Sequence, residues 1–301
     1  MRTMVATPIV LDRKSRSVLE HGTGLPRSTY WLSGALALVT ALAVAATFFI
    51  PGVLRGPAVM NGSARGTALV ILVLGLPALL IAMRWAAKGS IRALIVWLGV
   101  IAYLSYNAVM FIFATPFNQL FLLYVAMFSL CFWSATSILH QVDVDALRAR
   151  FSPRLPVRGL VAYALVIVAL NALVWLRNVV PSVLSSAPPS WLDGTGLGTH
   201  PVYVLDLAFW LPLMVVAAVW LWRRRPWGYL LVGSILTMWV IESVGVAVDQ
   251  LFGHAADPAS TVASAAMAPV FGVLALVGLI PLYVYFRHLN SIDLISHKEA
   301  I

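Results

Sequence analysis

Cysteine and charge are what this chain most lacks. A single cysteine, Cys131, stands among 301 residues, so no intrachain disulfide, CxxC redox pair or thiolate metal site can form. Its neighbours over 122–139 are mainly Phe, Leu and Met, where a lone thiol is inert packing. Charged residues make up 10% of the chain, against about 25% in soluble domains. Apolar residues reach 61%, more than a globule of this size can hide from water. An ordinary soluble enzyme, a disordered protein and a disulfide scaffold are thereby excluded, and lipid is left as the solvent. Acidic residues are scarcest, 11 against 20 Lys and Arg. No soluble stretch interleaves basic residues with aromatics, so the net +9 does not point to nucleic acid. It is the balance expected of cytoplasmic loops beside a bilayer.

A bilayer core needs about 20 apolar residues in a helix. Eight runs qualify, at 31–50, 67–83, 91–114, 119–139, 160–180, 202–222, 228–249 and 262–286. They are too long and too uniformly apolar for the alternating ten-residue strands of an outer-membrane barrel. The expected fold is an all-α polytopic bundle spanning residues 31–286. A cytoplasmic tail at 1–30 with the composition of a disordered segment, and a second tail at 287–301, flank it. Five basic residues precede the first apolar run, unlike a secretory signal, so 31–50 is expected to be a retained helix.

Orientation follows from the basic residues. With a cytoplasmic N-terminus, the inner segments hold seventeen Lys and Arg, among them Arg148, Arg150, Arg154, Arg158 and Arg223 to Arg225. The outer connections hold Arg55 and Arg65, with Arg177 near the outer end of the fifth span. The positive-inside rule then puts both termini in the cytoplasm. Pro77, Pro212 and Pro269 fall inside spans and should kink them, whereas Pro51, Pro181, Pro188, Pro189, Pro201 and Pro226 punctuate connections. The outer connections at 181–201 and 250–261 read as linkers before caps.

A shift of 135 residues pairs Leu76-Pro77 with Leu211-Pro212, Trp85 with Trp220, Lys88 with Arg223, and Asn107 with Glu242. It raises the expectation of two four-helix repeats related by a parallel axis, which an even number of spans allows.

Charges in mid-membrane are expensive and face a partner or a watery cavity. Arg177, Asp206, Glu242 and the span-ending Asp249 all belong to the outer half. At 1.5 Å per residue, Asp206 lies roughly 7 Å below the outer end of its helix and Glu242 roughly 10 Å below Asp249. Glu242 and Asp249 share a face, as do Tyr203, Asp206 and Trp210, Tyr103 and Asn107, and Asn171 and Asn178. These spacings predict a polar cavity between spans three, five, six and seven, open to the outside. Its expected binding or coupling groups are Glu242, Asp206, Arg177, Asn107, Asn171 and Asp249. Its expected rim is Asn118, Tyr103, His200, His254 and Asp257. For each residue a plainer role stands beside this one: helix-dipole pairing for Asp206, snorkelling for Arg177, interhelical glue for the asparagines, solvated loop residues for the histidines. The spacing of Asp249, His254 and Asp257 matches no compact metal motif, so no metal is expected. No span carries a lysine for a Schiff base or a histidine pair for haem, so no cofactor is expected either.

Two stretches carry a resemblance. One is Tyr106-Asn107 followed by Phe117-Asn118-Gln119-Leu120-Phe121-Leu122-Leu123-Tyr124. The other is His200-Pro201-Val202-Tyr203-Val204-Leu205-Asp206-Leu207, continuing through Leu211-Pro212 to Arg223-Arg224-Arg225-Pro226-Trp227-Gly228-Tyr229. Over a little under half its length the chain resembles a group of multi-pass bacterial membrane proteins of no established activity. The resemblance implies a bacterial inner membrane and no particular chemistry. It covers Asn107, Asn118 and Asp206 and leaves out Glu242. Three functions stay open at this point: a small-molecule or ion carrier or sensor, an intramembrane enzyme acting on a lipid or isoprenoid, and a structural or assembly subunit.

Overall fold

The computed structural model describes residues 25–290, so most of the expected tails lies outside the described residues. Among those described there is no strand, and eight helices are long and apolar enough to cross a membrane. They are α1 (Arg27–Phe49), α2 (Ala58–Ala87), α3 (Ile91–Phe113), α4 (Phe121–Gln141), α5 (Val157–Val183), α6 (Pro201–Trp222), α7 (Pro226–Ala256) and α8 (Met267–Arg287). Helices are the form such runs must take, because hydrocarbon offers no water to an unpaired backbone N–H or C=O. Local signals set several ends. Ser90 caps α3 by accepting a hydrogen bond from the Ala93 N–H at 3.3 Å. Pro201 and Pro226 open α6 and α7 at the first turn, where the missing N–H is no loss.

The interior is built on α3 and α7. Helix α3 is the most buried of the eight, with Trp97, Tyr103 and Leu104 sealed from solvent. Helix α7 packs against α2, α3, α6 and α8. Around them, exposed large apolar side chains such as Leu38, Val73, Phe132, Leu173 and Leu276 form a lipid-facing coat.

Three expectations about helix ends and prolines are corrected. Helix α2 begins at Ala58 rather than 67, because its polar first turns are buried against α7. A Cβ on Gly62 would run into the Phe252 carbonyl, and one on Gly66 would lie 2.9 Å from the Val248 carbonyl, so only small residues permit this approach. Pro181 lies inside α5, which continues to Val183, and does not mark a connection. Pro269 sits in the first turn of α8, where it breaks no hydrogen bond; the interior proline of that helix is Pro281.

Pro77 and Pro212 are accommodated in the same way. Each follows a five-residue π turn, Ile71–Gly75 in α2 and Asp206–Trp210 in α6. The Leu76 N–H reaches back to the Ile71 carbonyl and the Leu211 N–H to the Asp206 carbonyl, giving the wider turn that a missing proline donor calls for. The two π turns are 135 residues apart, and so are the starts of α3 and α7. Equivalent residues also meet: Asn107 donates to Glu242 across this separation, and a Cβ on Gly99 would lie 2.6 Å from the carbonyl of Ser234. In-register contacts of this kind are what two parallel helices make about a two-fold axis along the membrane normal.

The close approach at Gly99 generates a test. Gly99→Val should lower stability by about 2 kcal/mol, because the overpacked Cβ meets backbone. Gly34→Ala should cost nothing, since a Cβ there finds no atom within 4 Å. Thermal unfolding of the detergent-solubilised protein reads the difference, and equal melting temperatures for the two variants would refute the packing.

Candidate functional site

At the end of the bundle opposite the arginine-rich connections, α3 finishes, α6 begins, α7 finishes and α8 begins. Here the two helix pairs related by the 135-residue shift pack differently. At this end α2 closes on α7 through Gly62 and Gly66, whereas the first turns of α6 touch α3 only sparsely. The positions in α6 and its approach that correspond to these glycines are Leu197 and Pro201, which cannot make the same contact. The gap is a cavity of about 650 Å³ lined from α2, α3, α5, α6, α7 and α8.

Three carboxylates line it: Asp206, Glu242 and Asp249. Asp206 heads the π turn of α6, and its Oδ2 accepts a hydrogen bond from Trp175 Nε1 on α5 at 2.8 Å. The hydroxyl of Tyr106 lies beside it. Glu242 sits near the middle of α7, and its Oε2 accepts from Asn107 Nδ2 at 2.8 Å. The same Asn107 amide donates to the Tyr103 carbonyl at 3.0 Å, which fixes its orientation. Asp249 lies two turns further along α7, and its Oδ1 is buried with no hydrogen-bond partner. Among the described residues, no lysine or arginine lines the cavity. Aromatic rings make much of the remaining wall. Tyr203 packs on Trp175 at 4.8 Å between centroids and stacks on His200 at 4.7 Å.

Of the expected binding groups, Glu242, Asp206, Asn107, Asn171 and Asp249 all line this one cavity. Arg177 does not. It is exposed on the far side of α5, and the expectation that it is a binding or coupling group of the cavity is corrected. The reason is helical phase: two residues separate it from the inward-facing Trp175, a rotation of about 200°. Of the expected rim, only His200 lines the cavity. Tyr103 is fully buried behind it, with its hydroxyl unpartnered. Asn118 instead shapes the α3–α4 turn, accepting from the Leu120 N–H at 2.9 Å and donating to the Pro116 carbonyl at 3.0 Å. Asp257 closes a turn by accepting from the Ala259 N–H at 3.2 Å. His254 stands near the end of α7 and outside the lining. Among the described residues no group of three His, Cys, Asp or Glu is placed to hold a metal.

Sequence reading missed Trp175, Tyr106, Trp239 and the contributions of α2 and α8. Trp175 was within reach, being four residues after Asn171 and three before Asn178 on one face. The loop before α6 also does more than link. Trp191 packs on Tyr203 at 5.0 Å and donates to Ser182 Oγ at 2.9 Å, which ties the loop to the end of α5 and to a residue of the cavity wall.

No protein-family model, curated protein or solved structure is significantly similar to this chain. The fold and the cavity therefore define the class directly: this is a multi-pass α-helical membrane protein.

His200, outside the spans, supplies a pH test. Burial holds its imidazole below the ordinary histidine range, and its Nδ1 has no partner. The unfolded chain therefore binds the proton more readily than the native one. The sign is that stability falls as pH drops through the ordinary histidine value of about 6.5. Melting temperature measured from pH 7.5 to 5.5 should decline less in His200→Gln than in the native protein. Parallel declines would remove histidine protonation as a contributor.

Proposed function

We propose that this protein is a carrier, or a ligand-binding sensor, for a small molecule or ion in a bacterial plasma membrane, with its cavity facing outward. The observation that carries the reading is Glu242, a carboxylate near the middle of a spanning helix that lines an open cavity and is held by one amide. A group at that depth is costly unless it meets a partner or passes a proton or ligand. In this reading Glu242 is the protonatable coupling group and Asp206 its electrostatic companion. Two features support it: the π turn beside Pro212 puts an irregular helix at the site, and Trp191 in the loop before α6 packs on the lining residue Tyr203. A purely structural role for the polar residues would fill the space between them and pair each oxygen, whereas here a void remains and Asp249 Oδ1 is unpaired. The outward direction rests on the seventeen inner basic residues of the positive-inside count.

Two measurements test this. With the buried native thiol removed (Cys131→Ala), Ser243→Cys in the cavity should react with a membrane-impermeant maleimide added to intact cells. Arg154→Cys, between α4 and α5, should react only after lysis. Proteoliposomes incubated with a small-metabolite extract should accumulate at least one compound by mass spectrometry, and Glu242→Ala should abolish that uptake while inserting normally. A cavity cysteine silent to the reagent, or uptake unaffected by loss of Glu242, would sink the proposal.

A further inference from the structure

The cavity's charge balance narrows what enters it. Asp206, Glu242 and Asp249 share one cavity, no lysine or arginine among the described residues lines it, and Asp249 Oδ1 is buried without a donor. The other titratable groups in the lining are His200, Tyr106, Tyr163 and Tyr203, and burial of His200 favours its neutral form. Carboxylates removed from water need compensation, and the protein supplies neutral donors: Trp175 to Asp206 and Asn107 to Glu242. No lysine or arginine among the described residues supplies the missing positive charge there, which leaves protons or a cationic ligand to do so.

Size and lining decide what kind of cation. A bare metal ion needs several oxygens converging at about 2.3–2.6 Å, and the described residues hold no group of three ligands so placed. A volume near 650 Å³ is in the range of pockets for organic molecules. Tyr106, Trp175 and Trp239 add aromatic rings to the wall, which attract ammonium groups through their electron-rich faces. We infer that the cavity is a binding site for an organic cation, an ammonium-bearing molecule with an apolar body, whose charged end sits among Asp206, Glu242 and Asp249. Protons and the cation then compete for the same carboxylates, so occupation by one releases the other. This rests on the carrier or sensor reading and names its ligand class.

Three probes of matched ring and differing charge test it on the full-length protein in detergent: benzyltrimethylammonium, benzyl alcohol and benzoate, by titration calorimetry. The cation should bind at least tenfold more tightly than the alcohol, benzoate should not bind, and cation affinity should fall as pH is lowered. Asp206→Asn and Glu242→Gln should each weaken the cation tenfold or more while leaving the alcohol unchanged. If one variant fails to fold, the other variant and the pH series decide the matter. Benzoate or benzyl alcohol binding as tightly as the cation would overturn the cation assignment and leave the ligand-site reading standing. Absence of binding by all three probes, with the cavity cysteine also unreactive, would overturn both.

Discussion

A carboxylate near the centre of a bilayer has no water to fall back on, and the arrangement of this protein's interior follows from how Glu242 is held. Its donor is Asn107, the residue 135 positions earlier, on the helix that runs alongside in the same direction. The two helices can come that close because Gly99 leaves room for the backbone at Ser234. One side of Glu242 is thus committed to the helix pair that centres the bundle. The other faces open space. Loss of the Asn107 amide would leave a buried charge without its donor, which costs more than the hydrogen bond itself contributes.

The cavity arises where two helix pairs at the same 135-residue offset pack unequally. In the first, glycines on α2 let it close against α7. In the second, Leu197 and Pro201 occupy the corresponding positions, and the start of α6 touches α3 only sparsely. The π turn relieves Pro212 and opens on Asp206, which lines the cavity together with Trp210, four residues on and on the same face. A polar, aromatic-walled space is left where the other pair has packed backbone. Behind its wall the loop before α6 packs Trp191 on the lining residue Tyr203.

The spans were legible because a bilayer imposes length and continuous apolarity on each segment independently of the others. Legibility failed at the first turns of α2, where Asn61, Ser63 and Arg65 read as loop and only the facing helix shows that they are packed. The three acidic residues of the site were legible from depth alone, since few charges lie inside spans at all. Arg177 was misplaced because depth says nothing about rotation. Its neighbour Trp175, which does face inward, carries no charge to attract notice.

By itself the sequence determined eight helices, their order, their expected sidedness and the level at which Asp206, Glu242 and Asp249 lie. These depend on hydrophobic length, basic residues and rise per residue, all of which are local. Only the tertiary structure decided which face of each helix looks inward, that Asn107 is the donor to Glu242, and that a void survives beside them. Those outcomes depend on helix rotation and on close approaches at a few small residues, where contacts distant in the chain outweigh anything its neighbours in sequence can specify.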